Sequence, residues 1–264
     1  MDDIFVDEKD IKIGDEIGRG SFGTIFNVKY KGEKMALKSF YYPSVISTEE
    51  RLKIIDFANN KEKFSNSLII PRYVVGDNNE IKKYLTEKVD GNSFSHYKNA
   101  DIKEKLFMLR KAKNVINKMH EQGIIHGELH LGNMLYDGEN VYIIDFDQSQ
   151  YGNYKLSNDE YFLTKTYVEE NGVDPSVDIF IFNIATYALI NGEPTFSCRY
   201  KCVDGNYGCL QGIPDIDKIC KKIGWFERND EFLIDYIPDD FFDKKVKKNS
   251  KYFGIRRITI RSKL

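Results

Sequence analysis

The sequence has few of the features that mark secreted or membrane proteins. Its 264 residues include only 4 cysteines, and no apolar run approaches the ~20 residues needed to cross a bilayer. The acidic start, MDDIFVDEKD, lacks the order of a signal peptide. We therefore expect a cytoplasmic protein, in a cell or in an infected host. The cysteines lack CxxC pairs and nearby histidines, which favours reduced thiols over a zinc site or disulfides; they are Cys198, Cys202, Cys209 and Cys220.

The charge of the chain is also close to balanced. A net charge of -2 gives no overall reason to expect binding to nucleic acid or to an anionic membrane. A hydrophobic content of 41% and an aromatic content of 14% are enough for a packed core. Residues 244–264 are the exception, because they contain many Lys and Arg and no acid. We expect a solvated surface there, with docking to an acidic partner, lipid or RNA as the alternative.

The order of hydrophobic patterns predicts strands first and helices later. Residues 11–40 alternate as strands do, and residues 68–75 and 81–89 predict two more strands. A helix is expected from Ser47, a capping residue followed by acids, to about Asn59. Residues 102–121 repeat apolar side chains at helical spacing, and Gly123 ends that pattern. The sequence thus predicts an α+β fold with a small sheet lobe, about 1–89, and a larger helical lobe, about 90–264, in one domain.

A glycine-rich segment followed by a lysine suggests a phosphate-binding site. Residues 17–25 read IGRGSFGTI, and glycines let backbone N–H groups approach phosphates closely. A dinucleotide-binding turn shares this pattern, but it opens a helix, whereas residues 24–30 continue as a strand. Residues 35–38, MALK, follow on the next strand and end in Lys38. A lysine buried near phosphates needs an acidic partner, for which Glu50 is the first choice and Glu49 the second.

Residues 124–147 carry the polar groups of a phosphoryl-transfer site. They read IIHGELHLGNMLYDGENVYIIDFD, with polar residues placed directly after two short apolar runs. Asn133 and Asp145 supply oxygens suited to Mg²⁺. The carboxylate of Glu128 is placed to orient a nucleophile.

Three motifs in this order resemble those of the protein-kinase-like superfamily. They are the glycine-rich strand pair with its V-A-I-K-like lysine, a hinge at residues 84–94 (YLTEKVDGNSF), and the segments HGELHLGN and DFD, which resemble the family's H-x-D-x-x-x-x-N loop followed by D-F-G. The resemblance implies ATP and Mg²⁺ as cofactors. It implies catalytic roles for Lys38, Glu128, Asn133 and Asp145, and metal binding by the last two. It assigns nucleotide binding to Ile17, Gly18, Gly20, Gly23, Ile25, Ala36, Lys38, Glu50, Glu87, Val89 and Leu135, with Thr86 as gatekeeper.

Four positions depart from the family pattern. Glu128 stands where the family has aspartate, and one extra methylene moves the carboxylate by about a bond length, which can cost ~100-fold in rate. His130 replaces the lysine usual in Ser/Thr kinases. With this histidine, the pattern HGxLHxGN followed by IDFD resembles small-molecule phosphotransferases. Gly127 replaces an arginine that pairs with a phosphorylated loop, so no such phosphorylation is expected to be required. Asp147 replaces the last glycine of D-F-G, which disfavours a backbone flip.

The expected function is therefore an ATP- and Mg²⁺-dependent transferase. We expect a serine/threonine protein kinase that acts on protein hydroxyl groups. Two alternatives remain open. One is a small-molecule kinase of the aminoglycoside or sugar type, which His130 and the lack of an A-P-E motif favour. The other is a nucleotide-binding scaffold without catalysis, which Glu128 favours.

Overall fold

A computed structural model describes residues 4–157, 168, 172–192 and 230–238 of the chain. Three sequence-based expectations lie outside these residues. They concern the four cysteines, the basic segment 244–264 and any phosphorylation site between residues 158 and 167. Within the described ranges, no helix combines the length and the apolar composition needed to span a membrane.

The first part of the chain forms an antiparallel sheet. Its strands are β1 (Lys12–Arg19), β2 (Gly23–Tyr30), β3 (Glu33–Phe40), β5 (Tyr73–Gly76) and β6 (Ile81–Glu87), in the order β1-β2-β3-β6-β5. Strands β2 and β3 join through Lys31 and Gly32, whose φ angles are 47° and 88°. Positive φ at both central residues is the geometry of a tight hairpin turn, and the turn fixes the register that places Ile25 opposite Lys38.

Helix α1 (Thr48–Asn59) follows the third strand and begins with a capping box. The hydroxyl of Ser47 accepts from Glu50 N at 3.1 Å, and the Glu50 carboxylate accepts from Ser47 N at 2.8 Å. These two bonds satisfy backbone donors that the first turn leaves open. The helix turns Lys53, Ile54 and Phe57 inward, and all three are fully buried. The sequence prediction of this helix is confirmed at both ends.

The predicted strand at residues 68–75 is instead two short strands in different sheets. Leu68–Ile69 (β4) pairs in parallel with β10 (Val141–Ile144), whereas β5 pairs with β6. Pro71 lies between β4 and β5, where it has no N–H for a ladder and fixes its own φ. The proline therefore explains why the apolar run divides.

The second part of the chain is built on two long helices. Helix α2 (Ile102–Glu121) packs on a sheet ordered β4-β10-β9-β7, with β7 at Asn92–Ser93 and β9 at Met134–Tyr136, and helix α3 (Ser176–Asn191) packs against α2. A further pair joins β8 (Ile124–Ile125) to β11 (Gln150–Tyr151). Helix α3 is buried almost throughout and ends at Gly192, whose φ of 72° suits a helix C-terminus. The expected α+β, two-lobed fold is thus confirmed.

One hydrophobic cluster links helix α1 to the helical part. Phe57 of α1 belongs to the same buried cluster as α2 and α3. Its ring stacks on Tyr151 at a centroid distance of 4.9 Å and meets Phe146 edge-on at 6.2 Å. Phe146 directly follows Asp145, so the packing of α1 helps to fix the end of β10.

Candidate active site

The loop between β8 and β9 holds Glu128 and Asn133 in a tight network. The carbonyl oxygen of Glu128 accepts from Asn133 Nδ2 at 3.1 Å and from His130 N at 2.7 Å. The Glu128 N–H donates to His126 Nδ1 at 3.2 Å. The backbone that carries the Glu128 carboxylate is therefore fixed on both sides. Because the Asn133 amide nitrogen is used here, its Oδ1 is the atom left to bind a metal.

Asp178 anchors this loop from helix α3. Its carboxylate is fully buried and accepts from His126 N at 2.8 Å, Gly127 N at 2.7 Å and His120 Nε2 at 2.9 Å. Hydrogen bonds to a charged acceptor are the stronger class in proteins. Asp178 therefore holds two consecutive backbone N–H groups of the loop and joins them to His120 of α2.

The backbone conformation at position 127 favours glycine. Its φ is 79°, a region that residues with a Cβ rarely adopt. A Cβ built at this position would also overlap the side chain of Leu156. The space beside residue 127 is thus filled by an apolar side chain from the segment that follows the site, which is a physical reason for the absence of arginine at this position.

The end of β10 turns sharply to present Asp145. Its φ of 73° is unusual for a residue other than glycine, and such conformations persist where surrounding packing holds them. Phe146 is fully buried and meets the His126 ring at 5.0 Å. His126 Nε2 in turn hydrogen-bonds the Ile144 carbonyl at 2.8 Å. Burial lowers the pKa of His126, which favours the neutral ring as a packed structural group.

Lys38 and Asp145 meet in the cleft, 107 positions apart in sequence. Lys38 Nζ donates to Asp145 Oδ1 and, at 2.9 Å, to Asp147 Oδ2. Burial alone would lower the pKa of Lys38, but the charges of Asp145 and Asp147 outweigh it and raise that pKa well above its usual value. Burial opposes ionisation of Asp145 as well, but the charge of Lys38 lowers its pKa to about 2. Both groups are therefore ionised near neutral pH.

The expected ion pair between Lys38 and Glu50 is not what the structure shows. The Glu50 carboxylate accepts from Ser47 N in the capping box, and Lys38 pairs with two aspartates instead. One turn further along α1, the inward position is occupied by Lys53. Its Nζ donates to the Ser149 carbonyl and, at 3.4 Å, to Ser157 Oγ. Helix α1 thus buries Lys53, and its Glu50 lines the cavity beside Asp147 while Lys38 pairs with the two aspartates.

Asp147 is the site residue that the sequence analysis missed. Its side chain is 8% exposed, and it lines a cavity of about 90 Å³ together with Ser21 and Phe22 of the glycine-rich loop and Ile54 of α1. Burial and the neighbouring charge of Asp145 raise its pKa, with Lys38 opposing. The sequence signal was its replacement of a glycine, which indicated backbone conformation but not a new partner for Lys38.

The three glycines of the glycine-rich loop differ in their structural need. A Cβ at Gly23 would overlap the Ser39 carbonyl of the paired strand, so glycine is required there for packing. At Gly18 the nearest atom would be Ile25 Cβ at 3.7 Å, and at Gly20 only the Gly23 carbonyl at 4.0 Å. Packing of the protein leaves room for a side chain at both positions. Their glycines therefore fit a close approach by a ligand better than they fit a packing constraint.

Apolar side chains remain partly exposed around the glycine-rich loop and the hinge. These expected adenine contacts are Ile17, which is 47% exposed, and Ile25, Ala36 and Leu135, which are half-buried. Ala36 lies opposite Thr86 in the sheet, and Thr86 Oγ1 donates to the Glu87 carbonyl at 3.1 Å. Val89 follows in the hinge and is also half-buried. An apolar surface beside backbone polar groups has the character of a site for a planar base.

The residues present suit Mg²⁺ bound together with a ligand. In the described ranges, no group of three or more His, Cys, Asp or Glu is arranged as a metal site. Mg²⁺ commonly uses one or two protein carboxylates and completes its shell with phosphates and water. The Asp145 carboxylate and the Asn133 amide oxygen match that requirement, because both are hard oxygen ligands carried on the rigid end of β10 and on the anchored loop.

The sheet that carries Lys38 and the strand end that carries Asp145 thus meet at this site. A family model described as the protein kinase domain matches residues 11–251. The chain therefore belongs to the protein kinase family.

Curated relatives agree with this membership. A putative serine/threonine-protein kinase/receptor of Acanthamoeba polyphaga mimivirus is 28% identical over 72% of this chain. A cell cycle serine/threonine-protein kinase of Saccharomyces cerevisiae is 25% identical over 80% of it. A second putative serine/threonine-protein kinase of the mimivirus is 24% identical over 75%. The chain spans 12%, 33% and 75% of the lengths of these three relatives, in that order.

Proposed function

We propose that this chain is an ATP- and Mg²⁺-dependent serine/threonine protein kinase in which Glu128 replaces the usual aspartate. The observation that carries the proposal is the meeting of Lys38 with Asp145 in the cleft, next to a loop that fixes Glu128 and Asn133. The serine/threonine specificity follows from the names of the relatives and from the expected protein acceptor. It is a proposal for this chain.

Separate groups of residues would bind the adenine, the phosphates and the metal ion. The apolar side chains of Ile17, Ile25, Ala36 and Leu135 would enclose the adenine, and the backbone of Glu87 and Val89 would hydrogen-bond it. Gly18, Gly20 and Gly23 would let backbone N–H groups approach the phosphates. Lys38 would hold phosphate oxygens, which compete with its present partner Asp145. Asn133 and Asp145 would hold Mg²⁺, which supplies charge neutralisation when bound.

Glu128 would orient the acceptor hydroxyl and receive its proton. The intrinsic pKa of glutamate, ~4.3, is close to that of aspartate, ~3.9. The two side chains therefore differ mainly in length. The fixed backbone at Glu128 means that the extra methylene must be absorbed by the side chain or by the position of the acceptor. We infer a working but slow base, because misplacement on this scale can cost ~100-fold.

The test is transfer of labelled γ-phosphate from ATP with Mg²⁺ to acceptors of two kinds. The acceptors are casein, as a general protein, and kanamycin, as an aminoglycoside. Label on serine or threonine of casein, lost in Lys38→Met and Asp145→Asn, supports the proposal. Label on kanamycin alone would replace it with the small-molecule kinase. ATP binding without transfer to either would replace it with the nucleotide-binding scaffold, which the departure at Glu128 favours.

Two further expectations belong with this proposal. Placement in the cytoplasm is checked by fractionation of cells that express the chain. Docking of residues 244–264 to an acidic partner, which is the alternative to a solvated surface there, is checked by deleting the segment and measuring substrate capture.

A further inference from the structure

Lys38 has two acidic partners, and only one of them is expected to bind metal. Asp145 is the metal ligand of the proposed function, and a bound Mg²⁺ would draw its carboxylate away from Lys38. Asp147 contacts the same ammonium group at 2.9 Å and lies two positions further along the chain. Asp147 can therefore keep Lys38 in place while Asp145 serves the metal.

Helix α1 does not supply the acid that pairs with Lys38, although its Glu50 lines the cavity beside Asp147. In the protein kinase family, a glutamate of the corresponding helix pairs with the lysine. Here the buried inward position of α1 is Lys53, and Glu50 is engaged at the first turn of the helix. With Lys38 and Lys53 both buried, the inner cleft contains two cations. A carboxylate that stays in place is needed there because an uncompensated buried charge is costly.

The surroundings of Asp147 also hold it in position. The residue is buried, and the next segment is tied down because Lys53 Nζ bonds the Ser149 carbonyl. Ser149 itself donates to the Phe146 carbonyl through both its N–H, at 3.1 Å, and its hydroxyl, at 2.7 Å. The turn that carries Asp147 is thus closed on itself and attached to α1.

We propose that Asp147 is the positioning residue for Lys38, and that it performs from the strand end the task that an acid of helix α1 performs elsewhere in the family. This inference rests on the proposed function, since it concerns the lysine that would hold the nucleotide. It assigns to Lys53 the task of fastening the turn that carries Asp147. Helix α1 then acts on Lys38 through the backbone rather than by a direct ion pair.

The experiment measures the affinity of the full chain for a fluorescent ATP analogue in EDTA and across a magnesium titration. Asp147→Asn is expected to weaken metal-free binding by about tenfold or more, which is the size of one charge-assisted hydrogen bond. In a Lys38→Met background the same change should add nothing, because the two residues act as one unit. Asp147→Glu, which keeps the charge, should recover part of the affinity.

Several results would overturn the inference. One is an Asp147→Asn effect that is unchanged in Lys38→Met. Another is an effect seen only as a raised magnesium requirement, which would make Asp147 a metal ligand. A third is an equal loss on Glu50→Gln. Asp56→Asn, at a hydrogen-bonded aspartate of α1 away from the cleft, is the matched control for the chemical change. If Asp147→Asn does not fold, Asp147→Ser, which also removes the charge, decides the point, since wild-type metal-free affinity for that variant would overturn the inference.

The binding readout separates this inference from the proposed function. Coupling between Asp147 and Lys38 in a chain that transfers no phosphate would leave the inference standing and remove the kinase assignment. Phosphate transfer by the wild type, combined with unchanged metal-free binding in Asp147→Asn, would support the kinase assignment and overturn the inference.

Discussion

Asp178→Asn should destabilise the protein strongly although it changes one atom of a buried side chain. The carboxylate of Asp178 accepts three hydrogen bonds, two at Oδ2 from His126 N and His120 Nε2 and one at Oδ1 from Gly127 N. An asparagine has only one accepting oxygen. Its best orientation turns the oxygen to His126 and His120, and the NH₂ group then faces the N–H of Gly127.

The size of the effect follows from this geometry. A buried N–H left without an acceptor costs about 1–3 kcal/mol, and each of the two remaining bonds weakens by about 1 kcal/mol when its acceptor loses charge. The sum is about 3–5 kcal/mol. A domain has only about 5–15 kcal/mol of stability in total, so the loss should be easy to measure. It should also loosen the loop that carries Glu128.

Urea unfolding followed by tryptophan and tyrosine fluorescence measures this change as a lower midpoint. The control is Asp56→Asn, whose carboxylate accepts one side-chain bond from Asn60 at 2.9 Å and should cost less than about 1 kcal/mol. If Asp178→Asn unfolded at the midpoint of the control, Asp178 would not be the anchor of the loop.

Three other predictions concern single residues of the site. Gly23→Ala should lower the melting temperature because of its overlap with the neighbouring strand, whereas Gly20→Ala should leave it unchanged and raise KM for ATP; equal melting losses would contradict this. Gly127→Ala should cost more than about 1 kcal/mol in urea unfolding, because its φ is positive and Leu156 fills the space, and a wild-type midpoint would refute the packing argument. Burial, with a smaller effect from a neighbouring ring, lowers the pKa of His130 to about 4. The folded state thus favours the neutral His130 ring. The stabilisation that the neutral ring gives is fully present above the unfolded pKa of about 6.5 and is lost as pH falls toward 4. His130→Gln should flatten the pH dependence of the unfolding midpoint over that interval, and an unchanged slope would refute this assignment.

Local patterns in the sequence were sufficient for most of the fold. The capping residue Ser47 and the apolar spacing of residues 102–121 predicted helices that the structure contains, since caps and amphipathic faces are local properties. The run at residues 68–75 was misread as one strand because its hydrophobicity is continuous across Pro71. The two halves enter different sheets, and strand partners are a property of the whole fold.

The site could be predicted where its residues belong to family motifs. It could not be predicted where the acidic partner of Lys38 lies at the end of β10 and a lysine lies on α1. Lys38 and Asp145 are paired in the structure, and both were expected in the site from the motifs that contain them. The pairing of Lys38 with Asp147 could not be read in the same way, because it depends on where α1 places Lys53 and Glu50. A buried lysine on the inward face of a helix is a sequence signal only after that face is known.

The most direct test of the account is the single-turnover rate of phosphate transfer from ATP with Mg²⁺ to a protein acceptor, measured for the wild type and for Glu128→Gln at saturating nucleotide. The account predicts transfer by the wild type and a rate about tenfold or more lower in the variant, because a positioned base contributes about 10²–10⁴-fold and the displaced carboxylate of Glu128 keeps only part of that. Equal rates in the two proteins, or a wild type that binds ATP and transfers none, would contradict it.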